Sequence, residues 1–339
     1  MNCEISVVVC TRNRGNGLLP TLDSILANSY EDFELIVIDQ SSNMETESSI
    51  ATYLHDPRVR YIKSSSQGAG LSRNIGLSEA RGSIVAYTDD DCTVPLNWLD
   101  KIENIFKTYS EIALVFFNVE PGPHDAQAGF IPNRIYKEEK VIRSISESTD
   151  CLGMAAGMAL KKRIILDMGG FDANMGPGSK FMSGEDLDIG LRALLKGLPI
   201  CVTPSIKVVH YGYRSFGDEF RQLVKRDWFS MGGAYAKMAK CRQKGSTRLI
   251  LYDSFVKGLW HPMSGVFRLK RPRGFRGFFY FYQGFIAGLL TEVDCTNLVY
   301  KSHSPLSSMC LASQETFEVL ALKNCNFQTE KLQKSEPSP

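Results

Sequence analysis

The chain has 339 residues, enough for one large α/β domain with an extension or for two domains. Its 39 Lys and Arg against 37 Asp and Glu give a net charge of +2, which excludes a global field that attracts nucleic acid or an acidic polymer. Its nine cysteines include no Cys-x-x-Cys, which argues against a disulfide framework and a zinc site and predicts a reducing cytoplasm.

A strand–helix–strand unit opens the chain. EISVVVCT (4–11) and FELIVIDQSS (33–42) are short β-branched runs that end in polar residues, with helically spaced leucines between them. The first run is too short for a secretory signal, so we expect no export. Strands over 58–66 and 83–91, with a helix over 70–82 between them, continue the alternation. This order predicts an α/β fold with a mostly parallel sheet covered by helices, and ligands bind beyond the carboxyl ends of such strands.

The second half begins with an amphipathic helix over 97–106 and a strand over 112–122. Residues 123–150 are weakly patterned and predict a mobile loop or an irregular insertion. A helix is predicted over 184–197, because leucines share one face, acids occupy its first turn and Gly197 ends it.

Three consecutive carboxylates, Asp89, Asp90 and Asp91, follow the apolar part of the strand over 83–91. Adjacent carboxylates raise each other's pKa unless a cation or hydrogen-bond donors offset the repulsion. Mg²⁺ and Mn²⁺ prefer oxygen ligands, so the motif predicts a divalent metal site. The alternative is an acidic turn whose aspartates accept hydrogen bonds from the local backbone.

Five motifs, taken together in their order and spacing, resemble those of the family-two glycosyltransferases of the GT-A fold. They are VVVCTRNR, LIVIDQSS, QGAGLSRNIGLSEARGSIVAYTDDD, GGFD followed by GEDLDIGLRALLKG, and VVHYGYRS, and they span about residues 4–215. The resemblance implies an inverting enzyme that uses a nucleotide-diphosphate sugar, which we expect to be a UDP-sugar.

The resemblance assigns the nucleotide-sugar site to residues that follow the first strands. Thr11 and Arg12 would contact the nucleotide, and Asp39 would accept hydrogen bonds from the base, although IDQSS stands where DDGS is commoner. Arg73 and Asn74 would face the nucleotide from the helix over 70–82. The structural alternatives are a solvated loop arginine at position 12 and an ion pair between Arg73 and a nearby acid.

The metal site implied by the resemblance uses the outer aspartates of the DXD motif and a histidine. Asp89 would lie near the ribose, Asp91 would bind Mn²⁺ or Mg²⁺, and Asp90 would belong to the nucleotide-sugar site. His210, just beyond the strand IKVVH, would be a second ligand, unless it is only a structural residue. Arg214 would pair with the diphosphate.

Transfer to a hydroxyl requires a base, and Glu185 and Asp186 at the start of the helix over 184–197 are the candidates. The resemblance favours Asp186. The structural alternative is that these carboxylates only interact with the helix dipole. Asp188 and Arg192 are spaced to form a supporting ion pair. Gly184 would permit close approach of the substrate.

The resemblance divides the chain into a glycosyltransferase domain over 1–215, with a nucleotide-sugar-binding half over about 1–95 and an acceptor and catalytic half over about 96–215. A helical, basic and aromatic extension would cover 216–300, and a tail over 301–339 is not expected to form regular structure. Arg268, Lys270, Arg271, Arg273 and Arg276 adjoin an uncharged stretch over 277–290, too short to span a bilayer.

We therefore predict a cytoplasmic, metal-dependent hexosyltransferase of polysaccharide or glycoconjugate synthesis, acting on a glycan, a lipid-linked or a small-molecule acceptor. A contact with the inner membrane surface through 268–290 is a further prediction, with a basic face beside a core helix as the alternative. Two other functions stay open. A sugar-phosphate nucleotidyltransferase would ordinarily have a lysine in its phosphate loop, and CTRNRGNG has none. A non-catalytic nucleotide-sugar-binding protein would not need both the aspartate triplet and the Glu185–Asp186 pair.

Overall fold

A computed structural model of the protein describes residues 3–147, 152–260 and 275–301. The strands are β1 (Ile5–Thr11), β2 (Phe33–Asp39), β3 (Val59–Lys63), β4 (Ile84–Asp89), β5 (Cys92–Thr93), β6 (Leu114–Pro121), β7 (Gly129–Phe130), β8 (Lys140–Ile142), β9 (Met158–Lys161), β10 (Ile200–His210), β11 (Arg214–Ser215), β12 (Val293–Asp294) and β13 (Val299–Tyr300). The α-helices are α1 (Leu19–Leu26), α2 (Glu45–Ile50), α3 (Ala69–Glu79), α4 (Trp98–Thr108), α5 (Lys162–Asp167), α6 (Glu185–Leu195), α7 (Asp218–Lys240), α8 (Ser246–Leu251) and α9 (Arg276–Leu289). A π-helix covers Tyr252–Trp260, and short 3₁₀ helices cover Gly15–Leu18, Ala51–His55, Ile145–Glu147 and Ala155–Gly157.

The main sheet has the strand order β3-β2-β1-β4-β9-β6-β10-β5, and β8 also pairs with β10. Strands β3, β2, β1 and β4 are parallel, β9 is antiparallel to both of its neighbours, and β6 and β10 are again parallel. Two small antiparallel ribbons pair β7 with β11 and β12 with β13. The mostly parallel sheet confirms the predicted α/β class.

Alternate residues of the central strands pack into two cores, one on each face of the sheet. Val8 of β1 belongs to the core that contains Leu77 of α3 and Leu191 of α6. Val7 of β1 belongs to the other core, with Trp98 of α4. The β-branched runs are therefore apolar on both sides, as expected of strands that helices cover on both faces. The predicted burial of the strand over 83–91 is confirmed for Ile84 to Thr88.

Helices α7 and α9 pack closely because glycines remove side chains from their contact. A Cβ on Gly232 of α7 would overlap the Phe281 carbonyl, and one on Gly284 of α9 would overlap the Phe229 carbonyl. The indole of Trp228 fills the space beside Gly277 in the same way. The inner face of α9 is thus packed against α7.

A buried ion-pair cluster joins α7 to α6 and to the loop that precedes α6. Lys237 Nζ lies 2.5 Å from Asp172 Oδ2 and 2.6 Å from Asp188 Oδ1, and its side chain is 1% exposed. Arg192 Nε donates to Asp188 Oδ2 at 2.9 Å, which confirms the predicted pair within α6. The Tyr300 amide donates to Asp172 Oδ2 at 2.8 Å. Each of the two carboxylates therefore has its charge balanced inside the protein.

We expect Lys237→Met to lower the free energy of unfolding by about 3–5 kcal/mol, because it leaves two carboxylates beside one guanidinium in the interior. Urea unfolding measures the loss. Lys207→Met is the matched control, since Lys207 Nζ pairs with Glu120 at 2.9 Å but its side chain is 57% exposed. It should cost about 1 kcal/mol or less. Equal stability of the two variants would contradict an essential role of the cluster.

Cys241 at the end of α7 and Cys295 between β12 and β13 form a disulfide. No sequence motif indicates this pair, since its cysteines are 54 positions apart and lie in no short motif. The expectation drawn from the cysteine pattern is wrong for these two residues. A disulfide is uncommon in a reducing cytoplasm, so the cysteines no longer support that compartment.

The uncharged stretch over 277–290 lies in α9, which begins at Arg276 and ends at Leu289. Among the described residues, no helix has the length and apolar character needed to cross a membrane. The predicted cations Arg268, Lys270, Arg271 and Arg273, and the tail from residue 302, lie outside the described residues.

Candidate active site

Polar residues end three neighbouring parallel strands at one edge of the sheet. Thr11 ends β1 and pairs in register with Asp39, which ends β2. Asp89 ends β4 and pairs with Cys10 of β1. The register confirms that these residues share the edge beyond which ligands of such sheets bind.

Two side chains of the first loop bind the middle carboxylate of the triplet. Thr11 Oγ1 donates to Asp90 Oδ2 at 2.7 Å, and Arg14 Nη2 donates to Asp90 Oδ1 at 2.7 Å. The same Arg14 nitrogen lies 2.5 Å from Asp91 Oδ2. Burial opposes the charged form of Arg14, but Asp90 and Asp91 outweigh it and raise the pKa of the guanidinium. Arg14 thus offsets the repulsion within the triplet.

Asp91 and His210 face each other across the ends of β4 and β10. His210 Nε2 lies 3.3 Å from Asp91 Oδ1, and His210 Nδ1 lies 2.8 Å from the Pro132 carbonyl oxygen. Burial favours a higher pKa of Asp91, but His210 and Arg14 outweigh it and lower this pKa to about 2. Burial likewise favours a lower pKa of His210, and Asp91 outweighs it, so this pKa lies above its usual value.

Asp91 and His210 are the residues that could hold a divalent cation. Asp91, Cys92 and His210 present ligand atoms within 4.8 Å of one another. Burial raises the pKa of the Cys92 thiol far above neutrality, which leaves a carboxylate and an imidazole as the effective donors. The backbone at Gly212 closes the cradle, since a Cβ there would lie 2.5 Å from His210 Nε2 and 2.9 Å from Asp91 Oδ2.

Asp89 lies in a different set of contacts. Arg73 Nη2 lies 3.3 Å from Asp89 Oδ1, and Arg73 Nη1 donates to Glu185 Oε1 at 2.5 Å. Burial and the neighbouring Asp91 raise the pKa of Asp89, although Arg73 opposes the shift. Arg73 thus links the predicted donor site to the first residue of α6, and its predicted pairing with an acid is present.

Asp186 occupies the first turn of α6. Its Oδ1 accepts from the Leu187 amide at 2.7 Å, and its Oδ2 accepts from the Ala155 amide at 3.1 Å. Burial and then the charge of Glu185 raise the pKa of Asp186 to about 7. A carboxylate with a pKa near the working pH suits proton acceptance.

The backbone at Gly184, the residue before this turn, requires a glycine. Its φ is 79°, in the left-handed region that favours glycine, and a Cβ there would overlap Ser230 Oγ of α7. The close approach of a substrate at Gly184 stays a prediction.

Asp39 is fully buried and surrounded by donors. Its Oδ1 accepts from the amide and hydroxyl of Ser41, and its Oδ2 accepts from Tyr61 Oη at 2.7 Å and Lys63 Nζ at 2.9 Å. Burial opposes ionisation, but these donors lower the pKa of Asp39. Asp39 is thus ionised, and its hydrogen bonds hold Ser41, Tyr61 and Lys63 together at the end of β2.

Two other predicted nucleotide contacts, Asn74 and Arg214, lie on α3 and β11. The Asn74 side-chain amide donates to the Phe171 carbonyl oxygen at 2.8 Å and accepts from the Phe171 backbone amide at 2.7 Å. Asn74 therefore has a structural role in the fold, and its nucleotide contact stays a prediction. Arg214 is exposed on β11, paired in register with Phe130 of β7.

Arg12 is exposed, and the arginine of this loop that contacts the triplet is Arg14. Sequence reasoning missed Arg14, because both arginines of TRNR lie in one loop. Asn13 between them has a φ of 54°, and this left-handed turn separates the two side chains. An Asn flanked by arginines after a strand is the only signal in the sequence that could have suggested the turn.

Comparison with known proteins identifies the fold as an α/β fold of GT-A type. Residues 6–163 match the family model for glycosyl transferase family 2. The matched segment contains the aspartate triplet and ends before Asp186 and His210.

The relatives agree with this class. The glucosyl-dolichyl phosphate glucuronosyltransferase of Haloferax volcanii is 25% identical over 238 residues, which cover 67% of this chain and 74% of that protein. Three proteins from Rickettsia species, each named an uncharacterized glycosyltransferase, match 33–34% of this chain and 16–18% of their own length.

Two solved structures share the fold. Staphylococcus aureus TarS 1-349 in complex with UDP-GlcNAc has a TM-score of 0.54 at 14% identity, with 83% of this chain and 81% of that chain covered. The mannosyltransferase PcManGT of Pyrobaculum calidifontis, in complex with GDP-Man and Mn²⁺, has a TM-score of 0.56 at 14% identity, with 86% and 88% covered.

Proposed function

We propose that this protein transfers a sugar from a nucleoside-diphosphate donor, which we expect to be a UDP-sugar, to an acceptor hydroxyl with inversion at the anomeric carbon. One observation carries the proposal. A carboxylate with a pKa of about 7, Asp186, adjoins Glu185, and Glu185 is linked through Arg73 to Asp89 at the acidic edge of the sheet. The proposed base is thus next in sequence to a residue that is connected through Arg73 to the proposed donor site.

The residues have distinct roles in this proposal. Asp186 accepts the proton of the acceptor hydroxyl, and the freed oxygen forms a bond to the anomeric carbon from the face opposite the diphosphate. The bond from the anomeric carbon to the phosphate oxygen breaks, and its electron pair leaves with the nucleoside diphosphate. Asp91 and His210 would hold a divalent ion, Mn²⁺ or Mg²⁺, which stabilises the negative charge of the leaving diphosphate.

The arginines of the site support the binding of a nucleoside-diphosphate donor. Arg73 is 6% exposed and carries its charge between Asp89 and Glu185. Arg14 is about one-third exposed beside Asp90 and Asp91 and is the cation of the first loop that a donor phosphate would meet. A guanidinium matches phosphate oxygens in geometry and charge. The Haloferax relative, by its name, acts on a lipid-linked sugar, which supports a glycan or lipid-linked acceptor for this chain.

The decisive experiment incubates the purified protein with a panel of nucleotide sugars in Mn²⁺. We expect release of the nucleoside diphosphate from one donor, and loss of that release in EDTA with recovery on adding Mn²⁺. Formation of pyrophosphate from UTP and a sugar 1-phosphate would instead identify a nucleotidyltransferase. Tight donor binding without turnover, for every donor and acceptor offered, would identify a non-catalytic binding protein.

A further inference from the structure

We infer that the outer face of the C-terminal helices docks onto an anionic membrane surface. Nine large apolar side chains are exposed on α8, the π-helix, α9 and the residues that adjoin α9. They form the outer apolar face: Leu251, Tyr252, Phe255, Trp260, Phe275, Phe279, Ile286, Leu289 and Leu290. Another nine are exposed across all the other described residues together. Such a concentration marks an interaction surface rather than ordinary scatter.

The exposed side chains of the π-helix and of the start of α9 lie next to each other. The ring of Phe278 lies 5.7 Å from that of Phe255 on the π-helix and 5.8 Å from that of Phe279 on α9, centroid to centroid. Phe275 lies 5.5 Å from Phe279. Because Phe255, Phe275 and Phe279 are all exposed, these rings form one aromatic surface across both helices.

The periodicity of α9 separates this surface from the core. Phe275, Phe279, Ile286 and Leu290 are exposed at helical spacing, whereas Gly277, Phe281, Gly284 and Gly288 are buried. The buried set includes the glycines that bring α9 onto α7. Among the described residues, the core contacts the opposite side of α9 and leaves this outer stripe exposed.

The charge around the face identifies that partner. Residues 241–260 and 275–290 contain five cations, of which Arg242, Lys244, Arg248 and Arg276 are exposed. Their one acid, Asp253, is 2% exposed, accepts from Tyr235 Oη and pairs with Lys257 at 2.8 Å.

An anionic lipid surface satisfies both properties of the face. Helices with apolar side chains beside exposed cations lie in the interface between headgroups and acyl chains, and anionic lipids add attraction. At fourteen residues α9 is too short to span the bilayer. A second copy of the chain would bring like charges together across the contact, so charge disfavours self-association. This inference uses no residue of the proposed active site and does not depend on sugar transfer.

Cosedimentation of the full chain with vesicles tests the inference. We expect binding to phosphatidylcholine vesicles that contain phosphatidylserine, weak binding to phosphatidylcholine alone, and weakening in salt. Phe279→Glu with Ile286→Glu should reduce binding about tenfold or more, since each places a charge where an apolar side chain would be buried. Both positions are more than half exposed, so the variant should unfold at the temperature of the wild type.

Leu96→Glu is the matched control, because Leu96 is 64% exposed and lies just before α4. It should bind vesicles like the wild type. Failure of the wild type to bind anionic vesicles, or equal binding of the double variant, would overturn the inference. Sedimentation equilibrium provides the other overturning result: a wild-type dimer that binds no vesicles and dissociates in the double variant would make the face a contact between two copies.

Discussion

Asp186→Asn is expected to lower the rate of sugar transfer by about 10²–10⁴-fold while the donor binds as before. The change keeps the size of the side chain and removes its ability to accept a proton. Asp186 accepts hydrogen bonds from two backbone amides, and its charge interacts with Arg73 without a hydrogen bond, so we expect donor affinity to change little. Single-turnover transfer with an excess of acceptor, together with calorimetry of donor binding, measures the two quantities separately. A fully active variant would rule out Asp186 as the base.

Glu185→Gln tests the neighbouring carboxylate and should behave differently. Glu185 Oε1 accepts from Arg73 at 2.5 Å, and Arg73 also contacts Asp89. Losing this charge releases the guanidinium, so we expect weaker donor binding in addition to any loss of rate. Loss of turnover with unchanged donor affinity in Glu185→Gln, beside an active Asp186→Asn, would move the base by one residue.

The pKa of about 7 at Asp186 predicts the pH dependence of transfer. Below this pH the carboxyl is protonated and cannot accept a proton, so the rate should fall about tenfold per pH unit and level off above it. The sign for stability is opposite. A carboxyl whose pKa is higher in the folded chain favours the fold at low pH, and this contribution is lost as the pH rises from the ordinary pKa of 3.8 to about 7. At this side chain, ionisation favours transfer and disfavours the fold.

Asp91→Asn should abolish the metal-dependent part of UDP binding, a loss of about 100-fold or more. Asp91 provides the carboxylate next to His210, and its low pKa keeps it ionised at neutral pH. Calorimetry with UDP, with and without Mn²⁺, gives the affinity difference. Unchanged Mn²⁺ dependence in this variant would make the aspartate triplet an acidic turn.

Asp90→Asn is the control for Asp91→Asn, because it lies next to it and has the same shape. Both Asp90 oxygens already accept from protein donors, Thr11 and Arg14. We expect its Mn²⁺-dependent affinity to change far less. An equal loss in both variants would mean that Arg14 and the triplet act as one unit, and the assignment of the metal ligand to Asp91 would have to be abandoned.

The sheet and its functional edge could be predicted because their signals are local. A β-branched run that ends in polar residues specifies both a buried strand and the position of its end. Thr11, Asp39 and Asp89 therefore share one edge, as predicted. The pair of Asp188 and Arg192 was predictable for the same reason, since both lie within one helix.

The sequence alone does not show which residues, distant in the chain, a polar side chain will bond. Asn74 is held by Phe171, 97 positions away, and Arg73 by Glu185, 112 positions away. Nothing local separates a nucleotide contact from such a structural bond. The disulfide between Cys241 and Cys295 is another example, since its geometry exists only after α7 and the β12–β13 ribbon have packed.

The cluster around Lys237 restricts how such a chain can diversify. Lys237 belongs to the C-terminal helices, whereas Asp172 and Asp188 precede them in the chain by many positions. Recombination that exchanged everything after Ser215 for helices without an inward lysine would leave two carboxylates beside one arginine in the interior. Uncompensated burial of a carboxylate costs several kcal/mol, so most such chimaeras would not fold. We therefore expect positions 172, 188 and 237 to change only together.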